Sequence, residues 1–199
     1  MSLVPLPLPD ADVLLDPAFL TPTAAESLLR ELTQTISWRQ EPIRLFGKEV
    51  MQPRLTAWHG DQAAHYQYSG LKLAPQPWTP ALQRLRQLVE AAAGTLFNSV
   101  LLNLYRTGQD SMGWHADDEP ELGPVPIIAS VSLGAVRNFR FKPRSSEQAS
   151  QQPFTLPLTS GSLLLMRGTT QQHWLHAVPK TARVVAPRLN LTFRRILTS

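Results

Sequence analysis

The sequence predicts an α+β fold, mainly β, with a jelly-roll core behind a set of N-terminal supporting helices. Three observations carry that expectation. Helical periodicity is confined to the stretch before Gly94; from Phe97 onward short apolar and β-branched runs recur at strand length; and Gly, Pro and polar residues punctuate those runs. Helices followed by a succession of strands suit a β-sandwich or jelly roll with helices packed to one side.

Taken in order, residues 1–20 are proline-rich and are expected to wrap the surface without regular structure. A first helix should begin near Thr23, where Thr23 and Glu26 have capping-box spacing, and end near Trp38. Leu28, Leu29 and Leu32 would form its apolar stripe. Phe46 beside Gly47 reads as a hairpin tip, where an exposed aromatic ring needs a reason. The second helix is clearer: Thr79 as N-cap, Pro80 at the first helical position, Leu82, Leu85, Leu88 and Val89 on one face, and Gly94 as the stop. Strands are expected at Ser99–Tyr105, Ile127–Leu133, Asn138–Lys142, Ser162–Met166 and Leu189–Arg194, with Ser145–Gln152 as a polar loop. No repeat or linker divides the chain, so residues 1–199 read as one domain with its jelly-roll core over 97–196 and a hairpin region over 40–70.

Composition narrows the chemistry. Apolar residues make up 43% of 199, enough for a sizeable core, and no apolar run approaches the roughly 18 residues of a membrane span. Residues 1–20 carry Asp10, Asp12 and Asp16 and no basic residue, unlike a signal peptide, so a cytoplasmic or nuclear protein that is not secreted is expected. The chain has no cysteine, which excludes disulfides, thiolate zinc sites and cysteine nucleophiles. Any metal must therefore sit on imidazole and oxygen. The net charge is +4, and 15 Arg stand against 4 Lys, a balance that suits bidentate binding of phosphates and carboxylates.

The strongest local signal is His115-Ala116-Asp117. Two residues apart on an extended segment, the imidazole and carboxylate project to the same face and can share one ion. The third ligand must come from His59, His65, His173 or His176. His176 is preferred because it follows the buried-looking run Ser162–Met166 and can return to the same end of the sandwich, with His173 as the alternative. Two His and one carboxylate form the facial triad of non-haem iron, which leaves positions open for a chelating cosubstrate and O₂. In Arg188–Arg194, strand alternation puts Arg188, Asn190, Thr192 and Arg194 on one face, opposite Leu189, Leu191 and Phe193. Four polar groups on an inward face need a polar occupant, and a dicarboxylic acid suits two guanidiniums. Asn103 and Tyr105, again two apart, could reach the same ligand.

From about Leu45 to Ile196 these pieces resemble the AlkB family of Fe(II)/2-oxoglutarate dioxygenases. The likeness rests on Asn103-Leu104-Tyr105, His115–Glu119, Ser130–Gly134, His176 and Arg188–Arg194. It implies a double-stranded β-helix, Fe(II) held by His115, Asp117 and His176, and 2-oxoglutarate among Asn103, Tyr105, Arg188, Asn190, Thr192 and Arg194. The division of its two carboxylates between Arg188 and Arg194 stays open. Within the family the chain looks most like the duplex-DNA repair branch, a likeness that extends to Leu45–Lys48, Tyr66–Gly70 and Pro75–Trp78. That resemblance casts Phe46 as the wedge replacing a flipped base, Tyr66 and His115 as its stacking partners, and Glu119 as a contact to its edge. Arg54 and Tyr68 join them as substrate-binding residues. A base must leave its stack to be modified, and an apolar wedge offsets the lost stacking.

Two departures leave single-stranded DNA and RNA open. Lys180-Thr181-Ala182-Arg183 is less basic than the branch's corresponding run, and Trp114 stands where a polar residue is expected. The implied reaction is oxidative dealkylation of 1-methyladenine and 3-methylcytosine by a monomer, using O₂ and releasing formaldehyde, succinate and CO₂. The rivals are the same iron chemistry on RNA, protein or a small molecule, and a non-catalytic nucleic-acid-binding module.

Overall fold

A computed structural model describes residues 2–45, 48–64, 66–68, 71–73, 75–145 and 152–197. Two antiparallel sheets face one another. The larger is built from β1 (Val4–Pro5), β2 (Asp12–Asp16), β13 (Ser162–Arg167), β10 (Ile128–Gly134), β15 (Arg188–Arg194), β8 (Ser99–Tyr105) and β5 (Leu55–Gly60), in that spatial order. The smaller runs β12 (Phe154–Leu158), β11 (Arg137–Pro143), β14 (Trp174–Val178), β9 (Met112–His115). Two hairpins stand apart, β3 (Pro42–Leu45) with β4 (Lys48–Met51), and β6 (Tyr66–Tyr68) with β7 (Leu71–Leu73). This is the mainly β jelly roll that the strand pattern predicts.

The helices pack on the outer face of the larger sheet. Helix α1 spans Pro22–Thr35, and its cap is Thr21, whose Oγ1 accepts the Ala24 N–H at 3.3 Å. The cap therefore lies two residues before the expected Thr23. Pro22 decides this: its fixed φ and missing N–H suit the first helical position, so the residue before it becomes the cap. The helix also stops short of Trp38, where Ile36 turns extended. Helix α2 spans Pro80–Ala93 with Thr79 as cap and Gly94 at φ 67°, as the sequence predicts. Leu88, expected on its buried face, is 45% exposed. At about 100° per residue it lies some 100° round from Val89, beyond the edge of the stripe.

Strand alternation then separates two cores. Leu189, Leu191 and Phe193 of β15 point to the helices, with Leu32, Leu82 and Leu85. Between the sheets, Ile128, Leu164 and Met166 meet Phe139, Phe141 and Trp174 of the smaller sheet.

Residues 1–20 are not irregular. β2 lies along β13 in register Leu14↔Leu165, and β1 along β2. Val13 is buried in the inter-sheet core and Leu14 packs on the helix side, so one short strand serves both. The flanking prolines at 5, 7 and 9 obscure that alternation and confine β1 to a sheet edge. Strands β5, β9, β12 and β14 also lie outside the expected set. β12 contains Pro157, which an edge strand tolerates, and β14 carries His176 at its centre.

Candidate metal and cosubstrate site

The smaller sheet brings His176 beside the His115/Asp117 pair, some sixty residues earlier in the chain. β9 pairs with β14 in register His115↔His176, and the two rings meet edge-on with centroids 4.2 Å apart. Asp117 follows two residues beyond His115. The ligand atoms of His115, Asp117 and His176 all lie within 4.8 Å of one another, the one such group of three among the described residues. Asp117 and His176 are buried and His115 is half-buried, which leaves one side open to an incoming molecule. His173, at the end of α3 (Thr170–His173), is outside the cluster. His59 is buried on β5 with Nδ1 2.7 Å from the Pro77 carbonyl, and His65 lies outside the described residues.

The protonation states suit a divalent cation. Burial and the neighbouring His115 push His176 down to about 3, so it is a neutral ring with a free lone pair at ordinary pH. Burial alone would raise the Asp117 carboxyl, but Arg194, His176 and His115 outweigh it and hold it below the usual carboxylate range. His115 Nδ1 lies 2.9 Å from the Gly113 carbonyl. A carbonyl can only accept, so Nδ1 carries the proton and Nε2 is left for a metal. The His176 ring stacks on Phe139 at 5.2 Å, which fixes its plane.

Next to the triad, β8 and β15 line a narrow pocket with Asn103, Tyr105, Asn190, Thr192 and Arg194. The register Asn103↔Asn190 and Tyr105↔Arg188 sets them side by side. Arg194 donates to Asp117 Oδ1, which places its guanidinium at the metal end. Arg188 lies behind Tyr105, 1% exposed, its Nη2 donating to Ser132 Oγ at 2.9 Å and its guanidinium 5.2 Å from the Tyr105 ring centre. Among the described residues its Nε and Nη1 have no hydrogen-bond partner, nor has Arg194 Nε. Buried, unpaired guanidinium N–H groups are costly, and burial lowers the Arg188 pKa. An anionic ligand would satisfy them. The donor set of imidazole, carboxylate and unpaired guanidinium therefore fits Fe(II) with a dicarboxylate beside it.

The polar residues differ in how free they are. The Asn190 amide is engaged: Nδ2 donates to Ser130 Oγ at 2.7 Å, and Oδ1 accepts from Thr192 at 3.1 Å. Arg54 is buried behind Asn103, whose Oδ1 it holds at 2.6 Å. Glu119 is half-buried with Oε2 unpartnered, and burial raises its carboxyl against the opposing pull of Arg194. Phe46 lies outside the described residues, as do the side chains of Tyr66 and Tyr68 on β6. Sequence reasoning assigned no role to Ser130, Ser132, Gln171 or Arg144. The serines had a signal, since alternation puts them on the inward face of β10; Gln171 and Arg144 had none.

On the outer face of the smaller sheet, Trp114 is 39% exposed. Arg140 and Lys142 of β11 sit over its ring, 5.8 Å and 4.8 Å from the centroid. Neither cation forms an ion pair among the described residues.

A jelly roll with a buried His-Asp-His cluster beside an arginine-walled pocket defines the iron oxygenase class. The family model described as the 2OG-Fe(II) oxygenase superfamily matches residues 12–194. The human alpha-ketoglutarate-dependent dioxygenase alkB homolog 3 is 43% identical over 190 residues, covering 92% of this chain and 66% of that protein. The human DNA oxidative demethylase ALKBH2 is 43% identical over 180 residues, covering 87% of this chain and 69% of that protein. A solved structure of OsALKBH1 superposes with a TM-score of 0.69 at 17% identity, over 98% of this chain and all of that one, and shows the shared fold. The chain belongs to the AlkB family of 2OG-Fe(II) oxygenases, and it spans about two thirds of the length of these human relatives.

Proposed function

We propose that this protein is an Fe(II)- and 2-oxoglutarate-dependent dioxygenase that removes alkyl groups from nucleic-acid bases, with 1-methyladenine and 3-methylcytosine in DNA as its substrates. One observation carries the iron chemistry: the His115/Asp117/His176 cluster lines one pocket with Asn103, Tyr105 and Arg194, and behind Tyr105 the buried Arg188 keeps two N–H groups without a hydrogen-bond partner among the described residues. The substrate class is supported by the names of the 43% identical relatives and by the Trp114, Arg140, Lys142 patch, whose cations, without acidic partners among the described residues, suit a phosphate backbone.

When bound, Fe(II), 2-oxoglutarate and O₂ supply the oxidation of an N-methyl carbon, one oxygen atom entering succinate and the other the released formaldehyde, with loss of CO₂. His115, Asp117 and His176 would hold the metal. Arg188, steadied by Ser132, would hold one carboxylate of 2-oxoglutarate, and Arg194, beside Asp117, would hold the cosubstrate near the metal. Asn103, its oxygen held by Arg54, is left with its N–H₂ group to donate into the pocket. Asn190 and Thr192 form the wall between the two arginines. Glu119 meets the edge of the flipped base, where a carboxylate favours the cationic ring of an alkylated base over a neutral one. Phe46 fills the vacated stack, with Tyr66 and Tyr68 about the base.

The protein acts as a monomeric single domain in the cytoplasm or nucleus. Formaldehyde release from 1-methyladenine and 3-methylcytosine oligonucleotides, single- and double-stranded, tests this reading. Release that requires both Fe(II) and 2-oxoglutarate is expected. Succinate formation without release from any DNA, but with release from methylated RNA, would move the substrate to RNA.

A further inference from the structure

Asp117 lies beyond the end of β9, so no strand ladder holds its main chain where the second ligand must be aimed. A two-residue spacing sets which face the carboxylate takes only while the segment stays extended. Something outside the sheet must fix it.

The Asp117 N–H donates to Gln171 Oε1 at 3.0 Å. A main-chain N–H can only donate, so the amide oxygen of Gln171 faces it and Nε2 turns the other way. There Nε2 lies 3.7 Å from Met166 Sδ, a weak acceptor in the inter-sheet core. Gln171 is 1% exposed and sits on α3, five residues before His176. One short segment thus carries the third ligand and grips the second. A parallel grip comes from Arg144: Nη1 donates to Asp118 Oδ2 at 2.5 Å and to the Gln171 carbonyl at 2.9 Å. Two bridges therefore tie the segment after His115 to α3, one buried and one at the surface.

The residue type is informative. Glutamine offers an acceptor without charge. A carboxylate at 171 would add a second buried negative charge beside Asp117, and an apolar residue would leave the Asp117 N–H buried and unpaired.

We infer that Gln171 is a positioning residue of the metal centre: it sets the Asp117 carboxylate against His115 and His176, and Arg144 supports it from outside. The inference rests on the reading of these three residues as the metal ligands. Outer groups of this kind govern metal affinity by about 10–100-fold.

The test is Mn(II) affinity of metal-free wild type, Gln171→Leu and Arg144→Met, followed by electron paramagnetic resonance, with the Co(II) absorption spectrum of each as a second readout. Gln171→Leu should weaken Mn(II) binding by about 10–100-fold and alter the Co(II) bands, and Arg144→Met should weaken binding several-fold. A folded Gln171→Leu protein that binds Mn(II) as wild type does, with the same Co(II) spectrum, overturns the inference. If Gln171→Leu does not fold, the exposed Arg144→Met decides: several-fold weaker binding supports the inference, and unchanged binding overturns it. Wild type that binds neither ion would instead sink the ligand assignment itself.

Discussion

Arg188 shows the conflict between stability and function on a single side chain. Its guanidinium is fully buried, partly unpaired and pressed on Tyr105, an arrangement that costs stability until an anion arrives. Arg188→Met should therefore leave the melting temperature of the metal-free protein unchanged or raise it. The same change should raise KM for 2-oxoglutarate about 10–100-fold, the usual scale for losing hydrogen bonds to a charged group. Thermal melts beside succinate assays separate the two effects, and a large drop in melting temperature would deny that Arg188 is held for its ligand. At the surface, Arg140 and Lys142 are held over Trp114 without acidic partners among the described residues. Replacing both with Gln should weaken oligonucleotide binding. It should also reduce the slope of log K against log[salt] by about 0.7 for each phosphate of a single strand that is no longer neutralised. Fluorescence anisotropy across a salt series reads both; an unchanged slope would remove the patch from the binding surface.

At the scale of the element, the junction of β5 with residues 76–77 turns on His59. It is buried, bound to the Pro77 carbonyl through Nδ1, and its Nε2 has no partner among the described residues; burial lowers its pKa. The folded state holds it neutral, whereas an unfolded histidine titrates near pH 6.5. Stability from His59 is thus complete above about pH 6.5 and is lost progressively below it, toward the lowered folded value. Urea midpoints of metal-free protein should fall between pH 7.5 and 5.5, and His59→Gln should make that fall shallower. It should not abolish it, because buried His176 contributes with the same sign. A slope identical to wild type would mean that His59 already protonates freely in the fold. Legibility at this scale follows the burial pattern. Ser99–Tyr105, α2 and the Arg188–Arg194 strand are readable because propensity, caps and alternation agree there. Strands β9, β12 and β14 are not, because each is short and broken by a Gly, Pro or His whose placement only a partner strand makes tolerable.

For the whole molecule, His115, Asp117 and His176 line one pocket between the two sheets with Asn103, Tyr105 and Arg194, so on the proposed function metal and dicarboxylate binding should be coupled to each other and to folding. Mn(II) and 2-oxoglutarate together, each at about 100 times its Kd, should stabilise the protein by roughly 5 kcal/mol, about 2.7 kcal/mol from each ligand. 2-Oxoglutarate alone should give less, since a chelating ligand loses its bonds to the ion when the metal is absent. Differential scanning fluorimetry with and without chelator measures this; equal shifts from 2-oxoglutarate in both conditions would show that the two sites are independent.

Short-range periodicity is enough to establish the fold class, the His115-Ala116-Asp117 pair, and which face of Arg188–Arg194 turns inward, because a linear string records it directly. The choice of His176 over His173 is settled only in three dimensions, since it depends on the register of β14 with β9. The difference between the two arginines is of the same kind: alternation makes Arg188 and Arg194 equivalent until Ser132 is seen beside the one and Asp117 beside the other. Folding likewise brings residues 12–16 into the larger sheet and Gln171 to Asp117. Pairings between residues so far apart in the chain leave no period in the sequence, because they are set by which strands neighbour one another after the chain has folded.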